Sequence, residues 1–135
     1  MVCYQCGSET AVTNSRLQKR TNHVWRRRRC VLCDMTFTTI EAIDYGKSVA
    51  VRGASGRQLT PLSRDRLLLS LHASLQHRPT ALEDAAGLCA TIMSKAVRSA
   101  DHGILDVHTL MHTALVALNR FDKLAAQHYQ AMHKI

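Results

Sequence analysis

The sequence predicts an α+β fold in two parts: a small N-terminal β module, then an α-rich domain made of a β-hairpin and about four helices. Three observations predict it. Four of the five cysteines fall in two C-x-x-C pairs within the first 33 residues. An arginine-rich segment of strand-like character lies between those pairs. Beyond Glu41, apolar residues recur at three- and four-residue intervals, the period of amphipathic helices. The expected division is residues 1–46 and 47–135.

The cysteine pairs come first in the chain. They are Cys3/Cys6 and Cys30/Cys33, separated by a 23-residue spacer. A C-x-x-C turn presents two thiolates to one side of a metal, and two such turns complete a tetrahedron with Zn–S distances of about 2.3 Å. The spacer fits an intervening hairpin. Gly7 and Asp34 follow the two pairs, as tight turns require. Four sulfurs leave no open coordination position, so the expected Zn2+ is structural. A lone C-x-x-C would suit redox chemistry, but two pairs in one basic segment favour metal. The segment has few large apolar residues, so metal binding must supply much of its folding free energy. The odd number of cysteines and their uneven placement argue against a disulfide scaffold. Cys89, set among Ala and Leu, reads as an inert core thiol.

Between the pairs runs Val24-Trp25-Arg26-Arg27-Arg28-Arg29. In a strand, side chains alternate between faces, so Arg26 and Arg28 point one way and Arg27 and Arg29 the other. Guanidinium groups this close repel unless anions share the surface, and phosphates do so in two-pronged fashion. Trp25 is suited to stack on a base or to pack under the sheet. Arg16, Lys19 and Arg20 extend the patch from the opposite limb. Arg16, Trp25 and Arg26 to Arg29 are therefore the expected nucleic-acid contacts. An Arg strand does not by itself separate DNA from RNA, or base reading from phosphate holding.

The charge distribution agrees. The chain carries 18 Lys or Arg against 10 Asp or Glu, a net +8. Residues 1–46 contribute +3, residues 47–79 contribute +5, and residues 80–135 are neutral. A polyanion would meet the first half, and the last part is built for packing. No stretch approaches the roughly 20 apolar residues of a membrane span. The N-terminus lacks a secretory pattern. A soluble cytoplasmic protein without a membrane partner is expected.

In the second part, Ser48–Arg52 and Arg57–Thr60 read as a short hairpin around Gly53-Ala54-Ser55-Gly56, ended by Pro61. Ser63 caps a helix with Leu67, Leu68, Leu71 and Leu75 on one face. Thr80-x-x-Glu83 reads as a capping box opening a helix with Ala85, Ala86, Cys89, Ile92, Met93 and Val97 inward. Asp106 caps a third helix, with Val107, Leu110, Met111, Ala114 and Leu118 inward. Asp122 caps a fourth, with Leu124, Ala125, Tyr129 and Met132 inward. His108 and His112 lie one turn apart with no third ligand near, and read as a solvent-facing pair. No nucleophile–base–orienter set exists and the Gly53–Gly56 turn is not a phosphate loop, so an enzyme is not expected.

Taken together, Cys3-Tyr4-Gln5-Cys6, Asn14-Ser15-Arg16, Trp25 to Arg29, Cys30-Val31-Leu32-Cys33 and Phe37-Thr38-Thr39-Ile40-Glu41 succeed one another as in a known family. Over almost its full length the chain resembles the ribonucleotide reductase transcriptional repressors, NrdR. The resemblance implies a zinc ribbon that binds paired operator boxes in double-stranded DNA. It also implies an ATP-cone, whose binding of ATP or dATP sets the homo-oligomer and hence operator binding. It places nucleotide contacts at Val51, Arg52, Arg66, His77 and Arg78. The chain departs from the family pattern at several points. Trp25 takes the place of the first Arg of the run, Arg52 and Arg66 stand for Lys, Leu62 for Phe and His77 for Lys, and the entrance turn is longer. A second reading therefore stands beside the first: a zinc-ribbon nucleic-acid-binding protein whose degenerate cone is only an oligomerisation scaffold.

Overall fold

A computed structural model describes residues Met1–Lys134. The chain is α+β and forms two compact units, one spanning Met1–Ile43 and one starting at Asp44. The division falls three residues before the expected one. Asp44 belongs to the second unit because its carboxylate accepts from Lys47 N at 3.3 Å and caps a one-turn helix, α1 (Tyr45–Ser48). Ser48 therefore ends a helix and does not begin a strand.

The first unit is a three-stranded antiparallel sheet: β1 (Thr10–Gln18), β2 (His23–Cys30) and β3 (Thr36–Ala42), with β2 in the centre. Asn22, in the turn before β2, takes a left-handed φ of 51°, a conformation that Asn tolerates better than most residues. β1 and β2 pair from Thr10↔Cys30 to Gln18↔His23, with a β-bulge between Val12 and Asn14.

The second unit holds a small sheet of three-residue strands. β4 (Ala50–Arg52) sits between antiparallel β5 (Leu59–Pro61) and parallel β6 (Ile104–Asp106). The hairpin is present as the sequence implies, but Pro61 lies inside β5. Because β5 is an edge strand, the missing N–H breaks no ladder bond. β6 carries no local signal, since its partners on β4 lie 54 positions earlier in the chain, as in Val51↔Leu105. It depends on Gly103, whose φ is 77° and whose carbonyl accepts from Ala50 N at 2.8 Å. A Cβ there would lie 3.1 Å from the Ser48 carbonyl oxygen.

Four longer helices complete the unit: α2 (Arg64–Ser74), α3 (Ala81–Ala96), α4 (Val107–Phe121) and α5 (Lys123–His133). Ser63, Asp106 and Asp122 cap α2, α4 and α5 through side-chain oxygens accepting from Arg66 N, His108 N and Ala125 N. The capping box at α3 is not formed. Thr80 makes no cap bond, because its hydroxyl donates to Asp84 at 2.7 Å. The core gathers Val51, Leu62, Leu67, Leu71, Leu75, Ile92, Leu105, Leu118 and Tyr129. Cys89 is fully buried there, as its setting implies, and burial pushes its thiol pKa up. On α5 the inward face is Ala125, Ala126 and Tyr129, while Leu124 and Met132 are exposed. The helix is rotated toward His133, whose Nε2 lies 2.6 Å from Ser70 Oγ and whose ring packs on Tyr129. His108 and His112 are both exposed. No helix among the described residues is long and apolar enough to cross a membrane.

Candidate metal centre and nucleic-acid face

The two turns bring Cys3, Cys6, Cys30 and Cys33 together, with all four sulfurs within 4.8 Å of one another. Three separations are 3.4, 3.5 and 3.7 Å. A tetrahedral zinc with Zn–S bonds of about 2.3 Å requires S···S distances of about 3.8 Å. The backbone builds each turn for this. Gly7 N donates to the Cys3 carbonyl at 2.9 Å, and Leu32 N and Cys33 N both donate toward Cys30 Sγ. Gly7 and Asp34, the two expected turn residues, both have positive φ, 75° and 56°.

The electrostatics also call for a cation. The backbone N–H and the hydroxyl of Ser8 draw Cys6 down to about 6. At Cys33 the Met35 N–H favours the thiolate, but the sulfurs of Cys30 and Cys6 oppose a second negative charge and push it up to about 12. Four adjacent thiolates are therefore incompatible without a divalent ion. Zinc would hold all four deprotonated and lock the two turns together.

The arginine run divides as strand alternation requires. Residues paired across an antiparallel sheet share a face. One face carries Arg16, Trp25 and Ile40 in one row and Asn14, Arg27 and Thr38 in the next, with Arg29 and Thr36 beyond. Arg16, Arg27 and Arg29 are exposed, and Trp25 is half-buried. The other face carries Arg26 and Arg28, both half-buried. There Arg26 grips Glu41 at 2.9 Å, and Arg28 Nε donates to Thr39 Oγ1 at 3.1 Å. Tyr4 and Phe37 meet edge to face on that side. Carboxylates thus do part of what phosphate was expected to do, since Arg29 also pairs with Asp34 at 2.9 Å. That pair is exposed, so it is worth little and yields readily to a stronger anion. Arg27 and Arg16 have no side-chain ion pair among the described residues.

The five expected nucleotide contacts are placed differently. Val51 lies in the centre of β4 with its side chain in the core. Arg52 on β4 and Arg66 on α2 are exposed. His77 and Arg78, between α2 and α3, turn to carboxylates of the protein itself. Arg78 Nε donates to Asp84 at 2.8 Å and its Nη1 to Asp122 at 3.1 Å, while its guanidinium lies 4.8 Å from the Phe121 ring centroid. His77 Nε2 lies 3.1 Å from the same Asp122 oxygen, and its ring meets His128 edge to face. The Ala125 N–H, then the His77 and Arg78 side chains, hold the Asp122 carboxyl well below the usual carboxylate range. A depressed carboxylate stabilises the fold at neutral pH, and that stabilisation fades only in acid, as the group protonates. The sequence marks Asp122 only as a cap, because its ion pairs with His77 and Arg78 span more than 40 residues.

A four-cysteine ribbon with one open basic face, followed by a hairpin-and-helix unit, defines a zinc-ribbon regulator class. Residues 1–41 match the family described as "Transcriptional repressor NrdR-like, N-terminal domain". The chain is 30% identical to the transcriptional repressor NrdR of Dechloromonas aromatica over 99% of its own length and 86% of that protein. It is 30% identical to that of Gluconobacter oxydans over 99% and 80%, and 29% identical to that of Bordetella avium over 99% and 82%. The chain belongs to the NrdR family of transcriptional repressors, which are regulators and not enzymes, and its four cysteines suggest structural zinc.

Proposed function

We propose that the chain represses ribonucleotide reductase genes by binding operator DNA through its zinc ribbon, with ATP or dATP in the second unit setting its oligomeric state. The observation that carries the DNA reading is the open sheet face, where Arg16, Trp25, Arg27 and Arg29 stand together on the sheet that the four-cysteine centre closes. Arg26 and Arg28 brace the sheet from the other side. The zinc supplies rigidity, and the guanidinium groups supply phosphate contact. In a shift assay on duplex DNA with the metal-loaded protein, the double variant Arg16→Ala, Arg27→Ala is expected to bind at least about tenfold more weakly on every sequence. The slope of log affinity against log salt should fall by about 2. Unchanged affinity and slope would overturn the reading.

Nucleotide control is a linkage. A nucleotide shifts assembly only if it binds two assemblies with different affinity. The exposed Arg52 and Arg66 favour a triphosphate partner. The engagement of His77 and Arg78 with Asp122 and Asp84 favours the second reading, a cone that serves only as a scaffold. Calorimetry and solution mass with ATP or dATP separate the two. Heat and a change in mass are expected for a sensor, and neither for a scaffold.

A further inference from the structure

β1 does not keep one phase along its length. Val12 pairs with Arg28, yet Asn14 pairs with Arg27. In an unbroken ladder Thr13 would face Arg27, and Asn14 would share the face of Arg26. The bulge takes up Thr13 as an extra residue, and its hydroxyl donates to the Arg27 carbonyl at 3.3 Å. Bulges of this kind re-aim side chains. Here the effect is to move Asn14 and Arg16 onto the face of Arg27, and Ser15 and Leu17 onto the other.

The result is a row across the sheet, Asn14–Arg27–Thr38, all three exposed. The Asn14 side chain is exposed and its amide makes no side-chain hydrogen bond among the described residues, so its donor and its acceptor are both open to a partner. Neighbouring strands lie about 4.8 Å apart, so Asn14 can meet a base edge while Arg27 beside it reaches a phosphate. In the major groove a carboxamide matches the paired donor and acceptor of an adenine edge, and Asn14 lies on β1, an edge strand of the three-stranded sheet. A neutral amide between two arginines also adds no repulsion to the phosphates they hold.

We propose that Asn14 is a specificity-determining residue of the ribbon, its amide hydrogen-bonding a base edge in the major groove while Arg16 and Arg27 hold the backbone. This rests on the DNA-binding reading above. Selection from a randomised duplex library with full-length, zinc-loaded protein tests it. Wild type should enrich a defined motif. Asn14→Ala should lose preference at one position per bound ribbon, by roughly five- to a hundredfold, while its affinity for mixed-sequence DNA stays within about twofold and its zinc content is unchanged. Ser15→Ala, one residue along on the opposite face, should enrich the wild-type motif. A wild-type motif retained by Asn14→Ala overturns the inference, as does a wild-type protein that binds DNA without any preference; in both cases the DNA-binding reading survives. A wild-type protein that binds no duplex overturns both.

Discussion

Stripping the metal from the intact protein with a strong chelator is expected to unfold residues 1–43 and to leave the helices of the second unit in place. The first unit has no apolar core to fall back on. Among its described residues only Cys3, at 2% exposure, and Cys30, at 1%, are buried, and both are expected ligands. Val12, Leu17, Val31, Leu32 and Ile40 are all exposed. A three-stranded sheet with both broad faces largely open buries too little apolar surface to offset the backbone entropy lost on ordering. Zinc held by four thiolates contributes on the order of 10–16 kcal/mol at neutral pH, which tips the balance toward the folded ribbon. Amide spectra before and after chelation, and of Cys30→Ser, are the measurement. Loss of dispersed signals from residues 1–43 alone, restored by added Zn2+, is expected. Dispersion that survives in metal-free protein would refute the structural role of the metal.

Leu118→Ala should destabilise the second unit by about 2–5 kcal/mol, a large share of the roughly 5–15 kcal/mol that holds an ordinary domain together. α4 runs for 15 residues but buries only Ala114 and Leu118 fully. Removing the leucine side chain leaves that helix with no large fully buried anchor. It also loosens the joint at which Asp122 ends α4 and caps α5. Denaturant unfolding followed by helical circular dichroism reads the effect. A loss under about 1 kcal/mol would mean that neighbours such as Leu110 and Leu115 close the void.

Features decided by neighbouring residues were legible in the sequence. The C-x-x-C spacing sets the metal turns, and positive φ at Gly7 and Asp34 is a consequence of that turn geometry. Ser63, Asp106 and Asp122 announce three helix starts because a cap acts within its own turn. The two-residue period correctly separates Arg26 and Arg28 from Arg27 and Arg29. What failed depended on distant partners or on competition for one group. Thr80 had the spacing of a capping box, but Asp84 took its hydroxyl. β6 exists only because β4 lies beside it. On α5 the residues packed into the core are Ala125, Ala126 and Tyr129, and His133 meets Ser70 on another helix, so Leu124 and Met132 face outward. Arg78 carries charge suited to phosphate, and only the folded chain brings Asp84 and Asp122 to meet it and Asp122 to meet His77.

The inserted Thr13 gives β1 a parity. A homologous chain without it would be shorter by one residue yet keep the same partners, Val12 opposite Arg28 and Asn14 opposite Arg27. A chain that kept Thr13 but drew it into the ladder would instead send Arg16 to the side of Glu41 and Leu17 to the opposite surface. Along this strand, a single-residue gap at the bulge therefore leaves every later position facing the same neighbours, and side chains matched by column beyond it stay equivalent in space.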